Sequence, residues 1–206
     1  MRRSRAPLTV AIAIAVILFI VIPAAGGFFA DLWWFRELNY QVVFIKNLTT
    51  RALLFLAAGG VASAVLFLNL KLAQRGVVPE PVLVKMGEAV EPVDIAGMAQ
   101  RLRKPVSIFF GVFFGLGASA TWDTVLQWYH RTPFGISDPI FQRDIGYYVF
   151  TLPALSVVLG LLSTLAFITL LAVVPVYFFR GDVVVAPRRL RIEPAAGVHL
   201  AILLAI

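Results

Sequence analysis

The residues best able to do chemistry lie in one stretch, WDTVLQWYHRTPFGISDPIFQRDIGYYVFTLP. It carries three carboxylates and one imidazole: Asp123, His130, Asp138 and Asp144. Such a set could bind a divalent cation or act as general acid and base. However, Asp138-Pro139 is a turn dipeptide whose aspartate commonly caps its own backbone. Asp144 precedes an apolar run and could cap a helix or an entry turn. We expect capping, with ion binding and catalysis as the alternatives.

Motifs that would carry an enzyme activity do not occur elsewhere. The sequence contains no nucleophile–base spacing, no glycine-rich phosphate loop and no paired metal-ligand motif. It also contains no cysteine, which excludes disulfides and thiolate metal sites. We therefore predict no catalytic residue, no metal ligand and no cofactor, and we do not expect this part of the protein to be an enzyme.

The composition indicates the kind of element that must position these groups. Of the 206 residues, 60% are hydrophobic and only 14% are charged, and the mean hydropathy is +0.90. Soluble domains are about half apolar and about one quarter charged. The sequence thus predicts an all-α fold, a multi-pass transmembrane helical bundle with interfacial amphipathic helices, whose partner is the lipid bilayer.

Four segments could cross the hydrocarbon core, which takes about 20 residues in a helix. They are residues 8–29, 52–70, 105–126 (an apolar run to 121 with a short extension) and 152–179. A fifth apolar run at 197–206 has only ten residues, so we expect an N-terminal part of a longer protein, whose other helices would be partners. The apolar runs contain no Asp, Glu, Lys or Arg, which weakens a transporter interpretation.

The basic residues are segregated. The N-terminus and the loops 71–104 and 180–197 hold 13 of the 18 basic residues against six acids. The loops 30–51 and 127–151, counted together with residues 122–126, hold five basic and five acidic residues. Basic loops mark the cytoplasmic side. We therefore predict a bacterial plasma-membrane protein with a cytoplasmic N-terminus, and the positive charge gives no reason to expect a nucleic-acid partner.

The first apolar run also resembles a cleavable signal peptide. Arg2, Arg3 and Arg5 precede it, and small residues follow at 24–27. The run is longer than a usual signal core, so we favour retention. Either way the chain enters the second segment from outside.

An aromatic stretch, FADLWWFRELNYQVVFIKNLTTR, follows the first run. Its apolar positions recur at steps of three and four: Leu32, Phe35, Leu38, Val42 and Ile45. Trp and Tyr prefer the membrane–water boundary. We predict an interfacial belt at Trp33–Tyr40 on an amphipathic helix along the outer leaflet, with a ligand-stacking site as the alternative.

The loop 71–104 has two predicted parts. Pro79, Pro81 and Pro92 make its first half irregular. Asp94 is the expected N-cap of a short basic amphipathic helix that lies against anionic headgroups, or alternatively docks a partner.

In the third apolar run, Gly111, Gly115 and Gly117 form GVFFGLG. This small-residue pattern lets another helix approach closely. We expect it to support packing within the chain more than dimerisation.

Three stretches carry a family resemblance: DLWWFRELNYQVVF with TTR, WDTVLQW, and FGISDPIFQRDIGYYVFTLP. They resemble uncharacterised protein family 0182, a set of large bacterial membrane proteins. Tyr147 departs from the Phe usual in the family. The motif residues are Trp33, Trp34, Phe35, Glu37, Tyr40, Arg51, Trp122, Phe134, Gly135, Asp138, Pro139, Phe141, Asp144, Tyr148, Phe150, Leu152 and Pro153.

The resemblance implies architecture more than activity. Family members have several N-terminal spans followed by a large extracytoplasmic domain, and no established biochemical function. We therefore expect the membrane anchor of such a domain. The alternative is a transporter or lipid-handling protein completed by further helices. The oligomeric state is not predicted.

Overall fold

The computed structural model describes residues 6–75, 82–86, 89–186 and 189–205. The described residues are mainly helical, which confirms the predicted all-α class. The elements are α1 (Ala6–Glu37), α2 (Gln41–Ala73), β1 (Val82–Met86), β2 (Ala89–Val93), α3 (Ile95–Ala120), α4 (Trp122–Tyr129), a π-helical turn (Tyr147–Thr151), α5 (Leu152–Arg180), β3 (Val183–Ala186), β4 (Arg189–Ile192) and α6 (Pro194–Leu204). The chain divides into two compact units, residues 1–49 and residues 50–206.

Among the described residues, three helices are long and apolar enough to cross a membrane. They are Ile17–Glu37, Gln41–Ala73 and Tyr147–Arg180. A fourth crossing is possible if Gly97–Ala120 and Trp122–Tyr129 count together, although they meet at a bend of 53°. Helix α6 is apolar but shorter, with 11 residues.

A tight turn separates α1 from α2. Asn39 has a φ of 60°, and the Tyr40 amide donates to the Phe35 carbonyl at 2.9 Å. Asn adopts this left-handed conformation at helix C-termini more readily than most residues. The predicted amphipathic helix is therefore interrupted: its first half is the end of α1 and its second half begins α2. The rings of Phe28 and Phe35 both pack on Phe44, with centroids 5.4 and 5.7 Å apart.

Helix α3 is longer than the sequence predicted. Asp94 is its N-cap, as expected, and accepts a hydrogen bond from the Gly97 amide at 2.7 Å. The helix then continues through Pro105 to Ala120 instead of ending before it. Packing of the following apolar residues against α2 outweighs the hydrogen bond that Pro105 cannot make. The run breaks instead at Thr121, whose hydroxyl donates to the Ala118 carbonyl at 2.9 Å.

Two antiparallel hairpins, β1–β2 and β3–β4, were not predicted. Val82 pairs with Val93 in the first and Val183 with Ile192 in the second. The expectation of an irregular first half for loop 71–104 is wrong where β1 and β2 lie, and Pro79 and Pro81 fall outside the described residues. Pro92 is tolerated in β2 because both strands of a two-stranded sheet are edge strands.

The core of residues 50–206 lies where α2, α3, α5 and α6 meet. One buried cluster joins Leu70, Ala73, Val173, Tyr177 and Ala196. The other joins Ala62, Leu66, Phe114 and Leu165. Outside these clusters the helices leave large apolar side chains exposed, including Leu56, Phe109, Phe113, Phe167 and Leu171. An apolar outer surface of this kind is what a bilayer solvates.

Helices α2 and α3 approach each other closely at glycine positions. A Cβ added at Gly111 would lie 1.8 Å from the Ser63 hydroxyl oxygen and 2.8 Å from the Gly59 carbonyl oxygen. The Ser63 hydroxyl donates to the Ser107 carbonyl at 3.1 Å. Gly117, in contrast, faces open space. The expectation that this glycine motif packs helices within the chain is therefore confirmed at Gly111.

Candidate functional site

The residues singled out for chemistry fold into a compact loop, here called the aspartate loop (residues 134–146), between α4 and the π-helical turn. Its two sides are bonded like a short hairpin. The Asp138 amide donates to the Arg143 carbonyl at 2.8 Å, and the Ile145 amide donates to the Ile136 carbonyl at 2.9 Å. Two positive φ angles close its bends, 73° at Gly135 and 55° at Gln142.

Asp144 holds the two ends of the aspartate loop together. Its Oδ1 accepts from the Gly146 amide at 2.7 Å and from the Phe134 amide at 3.1 Å. Its Oδ2 accepts from the Gly135 amide at 2.8 Å. Both carboxylate oxygens are thus engaged by backbone donors from either end of the loop.

Asp138 organises the tip of the same loop. Its Oδ1 accepts from the Ile140 amide at 2.9 Å, and its Oδ2 accepts from the Phe141 amide at 3.0 Å. The Tyr148 hydroxyl donates to Oδ2 at 2.8 Å. The first two bonds form the local turn expected of Asp-Pro, whereas the bond from Tyr148 attaches the turn to the π-helical segment.

These hydrogen bonds favour the ionised form of both aspartates. At Asp144, the bonds from the Phe134 and Gly146 amides hold the carboxyl pKa below its usual value. At Asp138, desolvation would raise the pKa, but the bonds from the Ile140 amide, the Tyr148 hydroxyl and the Phe141 amide together outweigh it and lower the pKa. Both groups are therefore carboxylates at neutral pH, as acceptors of N–H and O–H donors should be.

One aromatic contact holds the aspartate loop against the π-helical turn, and a second one joins α2 to α4. The rings of Phe134 and Phe150 stack with centroids 6.0 Å apart and an interplanar angle of 14°. The Arg51 guanidinium of α2 lies over the Trp122 ring of α4, 5.1 Å from its centroid. The fold therefore brings together motif residues separated by up to about 70 positions in the chain, through stacking and cation–π contacts.

Other motif residues lie apart from these contacts. Pro139, Phe141 and Leu152 are exposed, and Pro153 is the second residue of α5, directly after the π-helical turn. The remaining motif residues belong to the other unit, at the end of α1 and in the turn after it: Trp33, Trp34, Phe35, Glu37 and Tyr40.

The carboxylates and the imidazole of the stretch do not converge. Among the described residues, no group of three or more His, Cys, Asp or Glu could hold a metal ion. Asp123 lies in the first turn of α4 and His130 follows its end, both exposed. The arrangement is chemically suited to fixing a loop. It presents exposed apolar side chains at its tip, with Ile140 79% and Phe141 72% exposed.

A second polar cluster, which sequence reasoning did not assemble, joins three apolar helices. His199 of α6 is hydrogen-bonded through Nε2 to the Asn69 side-chain oxygen of α2 at 2.7 Å. Its Nδ1 is 2.8 Å from the Tyr177 hydroxyl of α5. The Asn69 amide nitrogen donates to the Val65 carbonyl at 2.7 Å, which leaves Oδ1 as the acceptor. The imidazole is therefore assigned as protonated at Nε2, and Tyr177 donates to Nδ1.

A signal for this polar cluster was present in the sequence. Asn69 and His199 are isolated polar residues in apolar runs, and such residues tend to face the interior of a bundle. They are 130 positions apart, so nothing local could pair them.

Comparison with known proteins agrees with the motif pattern. The sequence model of one family, described as uncharacterised protein family (UPF0182), matches residues 8–206. The chain is 34% identical over 98% of its length to a UPF0182 protein of Clavibacter michiganensis and covers 20% of that protein. It is 36% identical over 98% of its length to one of Rhodococcus erythropolis, of which it covers 21%.

A UPF0182 protein of Thermobifida fusca is 35% identical over 100% of the chain, which covers 20% of that relative. The chain thus spans about a fifth of the length of the curated relatives it matches. No solved structure matches it. The extent of the family match shows that this chain belongs to uncharacterised protein family UPF0182.

Proposed function

We propose that this chain is the membrane anchor of a large extracytoplasmic domain, held in the bacterial plasma membrane with its N-terminus in the cytoplasm. The observation that carries the proposal is the segregation of basic residues into alternate segments of an otherwise apolar helical chain. Basic loops resist translocation, so this segregation favours one orientation.

The arrangement of residues 50–206 supports that orientation. The end of α2, the start of α3 and the end of α5 meet at one end of the bundle, since Gln74 donates to the Ala99 carbonyl at 3.0 Å and Arg180 donates to the Ala73 carbonyl. This basic end carries Lys71, Arg75, Arg101, Arg103, Lys104 and Arg180. The aspartate loop follows α4, beyond the opposite end of α3. One end therefore suits the cytoplasm and the other the outer face.

The anchoring role itself rests on the size of the relatives. Because this chain covers about a fifth of each, most of a full-length protein of that size would lie beyond it. A braced loop with an apolar tip is suited to fixing the depth of the bundle in the outer leaflet, as is the aromatic belt at the end of α1.

Thiol labelling tests the orientation. On a cysteine-free background of the full-length protein, Ser137→Cys should react with an impermeant maleimide in intact cells, because this exposed position is placed outside. Gln100→Cys, an exposed position in the first turns of α3, should react only after the cells are permeabilised. Labelling of Gln100→Cys but not Ser137→Cys in intact cells would overturn the proposal.

Protease treatment tests the anchoring role. Proteinase K added outside spheroplasts should remove most of the mass of the full-length protein and leave a protected membrane fragment that contains this chain. If the bulk of the protein is cleaved only after lysis, the domain is cytoplasmic and the proposed anchor function is wrong.

The polar cluster of Asn69, Tyr177 and His199 favours a second candidate, a transporter. Ionisable residues between membrane helices commonly mark ion or proton pathways. In proteoliposomes with the full-length protein, a pH-sensitive dye should then report proton flux that His199→Gln reduces. Equal flux in wild type, His199→Gln and empty liposomes would exclude proton transport and leave the anchor function.

A further inference from the structure

We propose that a groove at the basic end of the helix bundle binds one anionic phospholipid, with the Arg103 guanidinium as the ligand of its phosphate. The groove has a volume of about 190 Å³ and lies between α2, α3 and α5. Its lining is apolar except for Gln74 and Arg103, and the apolar members are Leu70, Ala99, Leu102, Val106, Ala172 and Val176.

The guanidinium of Arg103 is held in place at this groove. Its Nη1 donates to the Gln74 side-chain oxygen at 3.0 Å, while the Gln74 amide nitrogen is bonded to the Ala99 carbonyl. One face of the guanidinium covers the Phe67 ring, 4.8 Å from its centroid. A planar, oriented cation of this kind is the group that best matches phosphate oxygens.

The same guanidinium lacks a counter-charge. Within the described ranges, the salt bridge of this region joins Arg180 to Asp182 at 3.2 Å, and no carboxylate pairs with Arg103. Its Nε, which is shielded from solvent, also has no hydrogen-bond partner among those residues. A partly buried cation without a counter-charge is costly, so an anion bound at the guanidinium would stabilise it.

The shape of the groove selects a lipid over a free anion. Its volume is below the range of about 300–1,000 Å³ of pockets that enclose a whole small ligand. It suits part of a molecule: a phosphate beside Arg103 and the start of an acyl chain along Leu102 and Val106. The remainder would lie in the bilayer against exposed apolar side chains of α3 such as Ile108 and Phe109. Exposed Arg101 and Lys104 would attract anionic headgroups from a distance.

The test measures the affinity of the purified full-length protein for three probes by native mass spectrometry and thermal shift. The probes are dioleoyl phosphatidylglycerol, dioleoyl phosphatidylcholine and inorganic phosphate. Wild-type protein should be stabilised by phosphatidylglycerol alone. Arg103→Gln should lose about tenfold or more of that affinity, because it removes a charge-assisted contact.

Two further variants distinguish binding in the groove from non-specific electrostatic attraction of the lipid to the basic surface. Arg101→Gln removes a neighbouring exposed charge from the same helix and should weaken phosphatidylglycerol binding far less than Arg103→Gln does. Ala99→Leu fills the groove while leaving Arg103 in place, and should weaken phosphatidylglycerol binding as Arg103→Gln does. Its own folding is checked by the thermal midpoint without lipid.

Three results would overturn the proposal. Equal losses in Arg101→Gln and Arg103→Gln would indicate diffuse surface attraction. Unchanged binding in Ala99→Leu would exclude the groove. Stabilisation by inorganic phosphate equal to that by phosphatidylglycerol would indicate an anion site without a lipid. The lipid site rests on the proposed orientation in the membrane. The Ser137→Cys labelling tests that orientation separately, so a failure of the lipid site can be told apart from a failure of the orientation.

Discussion

At the scale of single residues, the aspartate loop depends on two carboxylates that each accept several hydrogen bonds. The turn at Asp138 follows from its own neighbours, as Asp-Pro indicates. The partners of Asp144 do not, since the Phe134 and Gly135 amides lie ten and nine positions before it, respectively. The loop conformation is therefore a property of the whole segment.

A substitution series tests the role of Asp144. Asp144→Ala should lower the thermal midpoint of the full-length protein, because three backbone N–H groups lose their acceptor. Asp144→Asn should have an intermediate effect, since its amide keeps one oxygen and sets an NH₂ group against a backbone donor. Asp123→Ala, an exposed acid in α4, is the control and should change little.

The same series decides between a structural loop and a metal site. Chelator should leave the thermal midpoint of every variant unchanged. If chelator lowers the wild-type midpoint to that of Asp144→Ala, the loop binds a divalent cation and the structural interpretation is wrong.

The lowered pKa values of Asp138 and Asp144 predict a pH dependence. A carboxyl whose pKa is lower in the folded state stabilises the fold above its unfolded pKa, about 3.9. That contribution is lost as the pH falls through the lowered folded-state value. The midpoint difference between wild type and Asp138→Asn/Asp144→Asn should thus be constant near neutrality and shrink below about pH 4. A difference that shrinks nearer neutrality would contradict this account.

The hydroxyl of Tyr177 should contribute to stability through His199. Tyr177 is only 5% exposed, so Tyr177→Phe leaves the imidazole Nδ1 without a donor in an apolar setting. The expected cost is about 1–3 kcal/mol of unfolding free energy, measured by denaturation in mild detergent. Tyr129→Phe, at a site that is 71% exposed, is the matched control and should be neutral. Equal effects at the two tyrosines would argue against the polar cluster.

At the scale of elements, close contact between helices depends on the positions of glycines, which have no side chain. Gly111 and Gly115 of α3 each approach the backbone of α2, and a Cβ at either would lie 2.8 Å from a carbonyl oxygen. Small residues at a crossing let helices exchange dispersion contacts at short range. The α2–α3 contact should accordingly be sensitive to added side-chain volume.

A matched pair of glycine substitutions tests this contact. Gly111→Ala should destabilise the protein by about 1–3 kcal/mol, because the helices must separate to admit a methyl group. Gly117→Ala places the same methyl in open space and should be neutral or stabilising by up to about 1 kcal/mol, since alanine favours the helix. Thermal midpoints in detergent measure both, and an equal loss at Gly117 would show that helix contact is not the cause.

At the scale of the whole molecule, orientation depends on summed charge rather than on any one contact. The proposed cytoplasmic segments carry most of the basic residues, and the proposed outer loops are balanced. Because each basic residue adds to the resistance to translocation, the orientation should respond gradually to the number of charges removed.

Charge removal tests that dependence. Replacing Lys71, Arg75, Arg101 and Lys104 by Gln lowers the excess of basic residues on the proposed cytoplasmic side. The fraction of Ser137→Cys that an impermeant maleimide labels in intact cells should therefore fall. Replacing Arg131 and Arg143, which lie on the proposed outer side, should not reduce it. If both sets lower labelling equally, misfolding rather than orientation is responsible.

The sequence by itself determined the class of the fold and the chemistry of the aspartate loop. Apolar runs of membrane length can satisfy their backbone only as helices, so composition alone predicts α2 and α5. The aspartate in Asp-Pro favours a turn through its own side chain, and the Asp94 cap needs only an amide three positions later. These features are local, because the hydrogen bonds that form them join residues only a few positions apart in the sequence.

Only the tertiary structure decided which distant residues meet. The β1–β2 hairpin replaced a predicted irregular segment because strand pairing depends on a partner strand. Helix α3 continued through Pro105 because packing against α2 outweighs a lost hydrogen bond. The partners of Asn69 and Arg103 lie on other helices, as far as 130 positions away. Their meeting depends on helix packing, in which short-range steric fit between whole elements decides which polar groups face one another.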